Sequence, residues 1–387
     1  IISIKDSAGE STFRYDELNQ LIRENNHQLN KTITYAYDLG GNLTVEKEYA
    51  FTTAETLPDT PVKTMTETYD SAWKDKLLSW DGTAMTYDAI GNMLTRGGTT
   101  YTWTQGRRLS GVENGKSIKY LYDHTGARVK KTVDNTVTEY QWAGDLLLSE
   151  KTDGRIIWYC YDSQANLISV TIRGITYFYV RNVQGDIIAL VDADGKVVVK
   201  YTYDSWGKVV AVTGELADTV GVQNPFRYKG YYYDVETGLY YCRSRYYDPA
   251  IRRFISADDT QVLRDNLDML GEKNLYAYCD DNPITRVDGD GQCWNIVVGA
   301  VIGAAVNVIT GGIAATVTGQ KYSGWDILCA ATAGAVAGAG SGSDEPGAAQ
   351  RAQGCFRPEA RQGGQAPGSG RILPQERQPS LLDDYGC

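Results

Sequence analysis

Few residues of this 387-residue chain could carry chemistry unaided. There are two histidines, His27 and His124, and seven cysteines at positions 160, 242, 279, 293, 329, 355 and 387. Zinc sites need thiolates or imidazoles paired a few residues apart, and no CxxC or HExxH is present. Neither a metal nor another cofactor is therefore expected. His124 follows an aspartate-led turn and reads as a solvated turn residue, while the scattered cysteines read as small buried apolar groups rather than a disulfide framework. A net charge of −10, with no lysine–arginine cluster interleaved with aromatics, argues against nucleic acid as a partner. The remaining reactive groups are carboxylates. Asp258, Asp259, Asp288 and Asp290, beside Gly289 and Gly291, read locally as solvated turn residues.

The commonest use of aspartate here is conformational. Tyr-Asp pairs recur at 15–16, 37–38, 69–70, 87–88, 122–123, 161–162, 203–204, 233–234 and 247–248. Asp opens a turn because its carboxylate accepts backbone N–H groups two residues on, and a glycine three residues on relieves the closing position. Asp38–Gly41, Asp88–Gly91, Asp123–Gly126 and Asp204–Gly207 fit, Asp16–Asn19 substitutes asparagine, Asp234–Gly238 is one residue longer, and Asp70 and Asp162 lack the glycine. Alternating strand formers precede the turns, such as Ile118, Tyr120 and Tyr122, or Val197, Val199, Tyr201 and Tyr203. Asp153-Gly154 and Asp194-Gly195 add hairpin turns between the pairs. No helical periodicity is sustained before residue 292. The pattern predicts one supersecondary unit, a β-hairpin, copied along the chain. With 28 tyrosines against 6 phenylalanines, the sheet is expected to keep one aromatic face toward water or a solvated cavity.

From Asn224 the sequence becomes denser, with Phe226-Arg227-Tyr228, Glu236-Thr237-Gly238-Leu239, Arg245-Tyr246-Tyr247-Asp248-Pro249, Arg253-Phe254-Ile255, Asn274-Leu275-Tyr276-Ala277-Tyr278 and Asn282-Pro283. These motifs resemble the conserved core that ends the YD-repeat shell of bacterial Rhs proteins, which is similar to the shells of teneurins and of the C component of insecticidal toxin complexes. Together with the repeats, the resemblance covers residues 1–291. It implies a strand spiral forming part of a hollow shell, with the core curling inward as a plug, and a C-terminal effector freed by aspartyl self-cleavage. That chemistry needs one carboxylate to activate water and a protonated one to polarise the carbonyl. The family's two Asp-Pro motifs map onto Asp258 and Asp288, the candidate catalytic pair. Asp259 and Gly289 stand where the prolines would be, so slow or absent cleavage is expected.

No charged residue occurs between Gln292 and Gln320, and Trp294–Gly319 is long enough to span a bilayer. Gly299, Gly303, Gly334 and Gly338 make small-residue faces suited to close helix packing. Helices near 293–318 and 325–340 are expected, either buried or inserted in a membrane. Beyond Ser341 the composition predicts disorder. No histidine follows residue 291, which excludes a histidine-based toxin site there. The chain, starting in mid-pattern, reads as a piece of a longer protein with exposed N-terminal sheet edges.

The expected fold is mainly β: a YD-repeat β-hairpin spiral over 1–223, a core plug over 224–291, a Gly/Ala-rich helical hairpin over 292–340 and a disordered tail over 341–387. The expected function is that of a structural shell in a secreted or cell-surface bacterial polymorphic-toxin system, enclosing or presenting a C-terminal effector. The alternatives are single-turnover self-cleavage at the end of the core, and adhesion to a carbohydrate or cell-surface partner. Other expected partners are the chain's own effector segment, the missing N-terminal shell and, through 293–340, a membrane.

Overall fold

The computed structural model describes residues 1–6, 8–258, 274–289 and 291, with the backbone of 295–296. Strands from Ser3–Lys5 to Val209–Thr213 build a 21-stranded antiparallel sheet in which each strand pairs with the next in sequence. Their alternation puts one face inside: in Ser117–Tyr122, Ile118 and Tyr120 are buried while Lys119 and Leu121 are exposed. Helix before residue 250 is confined to two short turns, Ala217–Gly221 and Tyr228–Gly230.

The Tyr-Asp turns share one geometry. Asp38 Oδ1 accepts the N–H groups of Gly40 and Asn42, both at 2.9 Å, and Gly41 closes the turn at φ +71°. Asp88, Asp162 and Asp204 accept their own i+2 and i+4 amides in the same way. Ala165 fills the glycine position of the Asp162 turn at φ +65°. Asp153-Gly154 forms the expected two-residue hairpin, with both φ positive and Thr152 opposite Arg155. At 192–196 the expectation needs correction: Asp192, not Asp194, opens the turn, because its carboxylate takes the amides of Asp194 and Lys196.

A β-bulge lies just before the tyrosine in seven repeats, at Tyr15, Tyr37, Tyr69, Tyr87, Tyr122, Tyr161 and Tyr203. Bulges bend a strand and increase its twist, which curls a meander into a spiral. Each bulge also aims its tyrosine at an earlier repeat. The hydroxyls of Tyr37, Tyr69, Tyr122, Tyr161 and Tyr203 donate to the carbonyls of Leu21, Leu43, Leu109, Leu147 and Ile187 at 2.7–2.9 Å. Trp103, Trp142 and Arg181 occupy equivalent bulges, and their ring or guanidinium N–H groups donate to Met93, Arg128 and Leu167. The repeat thus continues through units without a Tyr-Asp pair, because what it requires is a long flat side chain with a donor at its tip.

Strands Tyr232–Asp234, Leu239–Cys242, Arg245–Asp248 and Arg253–Phe254 form a second, four-stranded sheet packed against the inner face of the first. Charged plugs hold it there. Arg128, from the large sheet, pairs with Asp234 and lies against the rings of Tyr120, Tyr140, Tyr232 and Tyr241 at 4.5–5.2 Å. Lys131 completes the charge balance with Asp234 and Glu236 at 3.1 and 3.0 Å. In the reverse direction, Arg252 of the small sheet's last turn enters a cage of Tyr35, Trp80 and Trp206.

The tyrosines correct the expectation of a wet face. Every described tyrosine is buried or half-buried. Many of their hydroxyls meet backbone carbonyls, side-chain oxygens or one another, as in the Tyr231–Tyr278 contact of 3.0 Å, so the polar edge is largely satisfied within the protein. His124 is exposed as expected; Cys242 and Cys279 are buried, but Cys160 is exposed. Ser3–Lys5 pairs on one side with Glu10–Tyr15 and has no second strand among the described residues. Asn295–Ile296, expected inside a helix, form a short strand with Arg286–Val287. The rest of the expected helices at 293–318 and 325–340, and the tail at 341–387, lie outside the described residues. Among the described residues no helix is long and apolar enough to cross a membrane.

Candidate functional site

The two aspartates singled out in the sequence meet at one arginine. Arg243 and Ser244 form a tight turn, with Arg243 at φ +62°, so that Cys242 faces Arg245 across the hairpin. Arg245 therefore starts its strand with its guanidinium turned inward, 3.6 Å from the centre of the Phe254 ring. Its Nη2 lies 3.0 Å from Asp258 Oδ2 and 3.5 Å from Asp288 Oδ2. Nη1 donates to the Leu275 carbonyl at 3.0 Å, and Nε–H donates to the Gly291 carbonyl.

Backbone contacts place both acids. The Asp258 amide donates to the Leu275 carbonyl at 2.9 Å. The Asp288 amide donates to the Tyr231 hydroxyl at 2.9 Å, while Asp288 Oδ1 accepts the Gly291 amide at 2.8 Å. Gly291 sits at φ +75°, and a Cβ there would come within 2.6 Å of Ser244 Oγ and 2.7 Å of the Cys242 carbonyl. Only glycine fits that approach.

Asp258, Asp288 and Arg245 are 5%, 3% and 6% exposed, so the local reading of Asp258 and Asp288 as solvated turn residues is wrong. Asp259 and Asp290 lie outside the described residues. A guanidinium between two buried carboxylates offsets their mutual repulsion and supplies the charge without which neither could be buried ionised. The surroundings are dry: burial pushes the Cys279 thiol well up, helped by the charge of Asp288, and burial lowers the Lys229 ammonium. The arrangement offers a clamped peptide carbonyl, two carboxylates and a cation in contact with all three.

Sequence reasoning placed the aspartates but missed Arg245 as their shared partner, together with Tyr231 and the steric demand at Gly291. A signal was present. Arg245 stands in an aromatic strand where a lone buried cation requires carboxylates. Among the described residues, no group of three or more histidine, cysteine, aspartate or glutamate side chains could hold a metal ion.

This geometry sits in a fold with known members. Residues 1–284 match the family described as Teneurin YD-shell, and the chain belongs to that family. It is 37% identical over 295 residues to the tRNA3(Ser)-specific nuclease WapA of Bacillus spizizenii, covering 74% of this chain and 12% of that protein. It is 36% identical over 273 residues to the tRNA(Glu)-specific nuclease WapA of Bacillus subtilis subsp. natto, covering 68% of this chain and 11% of that protein. Among solved structures, the Photorhabdus luminescens Tc holotoxin pore carrying a TccC3 variant superposes with a TM-score of 0.58 at 21% identity. That match covers 75% of this chain and 16% of the other, and at this identity it shows the shared fold. The resemblance to Rhs and YD-repeat proteins drawn from the core motifs therefore holds.

Proposed function

We propose that the chain is part of a bacterial YD shell that encloses or presents a C-terminal effector, in a protein secreted or displayed at the cell surface. The supporting observation is the inward packing of the small sheet on the large one through the Arg128–Asp234 plug, with Gly291 held by Arg245 of the small sheet rather than by the spiral's own repeats. Two relatives named for different tRNA targets share this segment, as expected of a carrier whose cargo lies elsewhere. Beside the plug an open groove of about 780 Å³ is lined by residues including Lys131, Glu150, Arg155, Arg173, Tyr232 and Glu236, a mixed-charge surface suited to a polypeptide. In the full-length protein, the segment beyond residue 291 should resist added protease until the shell is unfolded. Digestion as fast as that of the isolated segment would sink this reading.

The convergence on Arg245 favours a second reading, self-cleavage of the Gly291–Gln292 bond. Water would add to the Gly291 carbonyl carbon and pass a proton to one ionised carboxylate. The Arg245 Nε–H would hold the resulting oxyanion. The C–N bond would then break, and the second carboxyl group would protonate the amine of Gln292. Intact-mass measurement should show one uncut chain or a slow cut at 291, since Asp259 and Gly289 leave both aspartates without the rigid proline. Loss of any such cut in Asp258→Asn and Asp288→Asn would establish the protease, and a cut that persists in both would remove it.

Adhesion to carbohydrate finds no support of this kind. The tyrosines expected on a face toward water or a solvated cavity are turned into the packed interior.

A further inference from the structure

At the junction between the two sheets, acids outnumber bases in a buried space. Glu24, Glu46 and Glu67, on strands Leu21–Asn26, Leu43–Ala50 and Lys63–Tyr69, are 0%, 1% and 7% exposed. Glu46 pairs with Arg252. Glu24 accepts the Tyr35 hydroxyl at 2.5 Å, the Asn26 amide at 3.2 Å and the Ser205 hydroxyl. Glu67 has no hydrogen-bond partner for either carboxylate oxygen among the described residues. Asp204, in the turn over the same space, accepts the amides of Trp206 and Lys208. Against these four acids stands the Arg252 guanidinium, caged by Tyr35, Trp80 and Trp206. Arg253, next to it, acts on Glu67 from further off while its Nη2 donates to the Asp75 carbonyl and Asn274 Oδ1; Asp81 adds a further negative charge near Glu67.

Arg252, even with Arg253 acting from further off, cannot balance four ionised carboxylates, and an orphaned carboxylate in a dry site costs far more than a neutral carboxyl group. We propose that this junction is a proton-loaded latch: Glu67, which has no hydrogen-bond partner among the described residues, holds its proton while the small sheet is docked, and losing it puts an unbalanced negative charge beside the Glu46–Arg252 pair and loosens the junction. Burial, ahead of the partial offset from Arg252, pushes Glu46 up to about 7 and Glu67 up to about 7, and pushes Asp204 up to about 6.

The sign is set by the direction of these shifts. A carboxyl group with a raised folded-state value contributes stability that is fully present below its ordinary range and is lost as pH rises through the folded value. The shell–core junction is therefore tightest in acid and weakens on passing through neutrality. Arg252 and Arg253 lead directly into Phe254, which carries the Arg245 guanidinium, and into Asp258. Loosening at the latch thus reaches the aspartate pair along one short stretch of chain.

The test is the thermal midpoint of the whole chain between about pH 5.5 and about pH 8.5, for the parent and for Glu67→Gln, which keeps the shape and cannot ionise. The parent midpoint should fall by about 3–8 °C across neutrality, and Glu67→Gln should fall less and lie above the parent at the alkaline end. Infrared spectra of the parent should show a protonated-carboxyl band at about pH 6 that disappears by about pH 8.5, a readout that stands even if the variant does not fold. A parent midpoint that is flat or rises with pH, an unchanged slope in Glu67→Gln, or no carboxyl band would overturn the latch.

Discussion

The large sheet and the small one are held together by different rules. In the large sheet each strand pairs with its neighbour in sequence, and the tip-to-carbonyl bonds span only 10 to 26 residues, from Trp103–Met93 to Tyr69–Leu43. Stability of that kind is close to a sum of nearest-neighbour terms. The small sheet depends on distant partners: Arg128 and Asp234 are 106 residues apart, and Tyr232 reaches Glu150 across 82. The repeats determine local shape, and the core ties non-adjacent repeats into one cooperative body.

Breaking the core should therefore cost most and be felt everywhere. Arg128→Met leaves Asp234 fully buried with Lys131 as its remaining cation, and should lower unfolding free energy by about 3–5 kcal/mol in urea titration. A loss below about 1 kcal/mol would mean the plug is not what couples the sheets. Cutting a single tip contact should cost less and stay local. Tyr203→Phe removes the bond to the Ile187 carbonyl, for a loss of about 1 kcal/mol, with faster hydrogen exchange confined to that repeat and its neighbour. Faster exchange across the whole sheet would contradict the nearest-neighbour account. The smallest effect should carry the opposite sign: Ala165→Gly relieves the positive φ in the Asp162 turn and should stabilise by about 0.5–1 kcal/mol. Destabilisation would show that the alanine methyl contributes packing that outweighs the strain.

The same contrast explains what could be read in the chain. The turns were legible because aspartate, glycine and alternating strand formers act within five residues of one another. Asp192 is masked in the sequence because Asp194-Gly195 imitates a two-residue hairpin. The tyrosine tips, and their replacement by Trp103, Trp142 and Arg181, were hidden because a bulge changes which face a side chain takes, and no local pattern announces it. At the candidate site, family motifs marked Asp258 and Asp288, yet the charge that joins them comes from Arg245 across a hairpin, and the fit at Gly291 depends on Ser244 and Cys242. Such pairings are properties of the assembled surface. Physical reasoning could demand a counter-charge for a buried arginine but could not say which acids would supply it.

The bond from each tyrosine tip points backward, from a later repeat to a carbonyl of an earlier one. The spiral therefore has a direction of growth. At these contacts a repeat emerging from the ribosome finds its acceptor already in place, so construction can keep pace with synthesis. Peeling from the C-terminal end removes the donor and leaves the earlier carbonyl, whereas stripping the N-terminal end removes the acceptor and leaves the hydroxyl of the next tyrosine. Resistance to pulling should thus differ between the two ends, as it does in a ratchet.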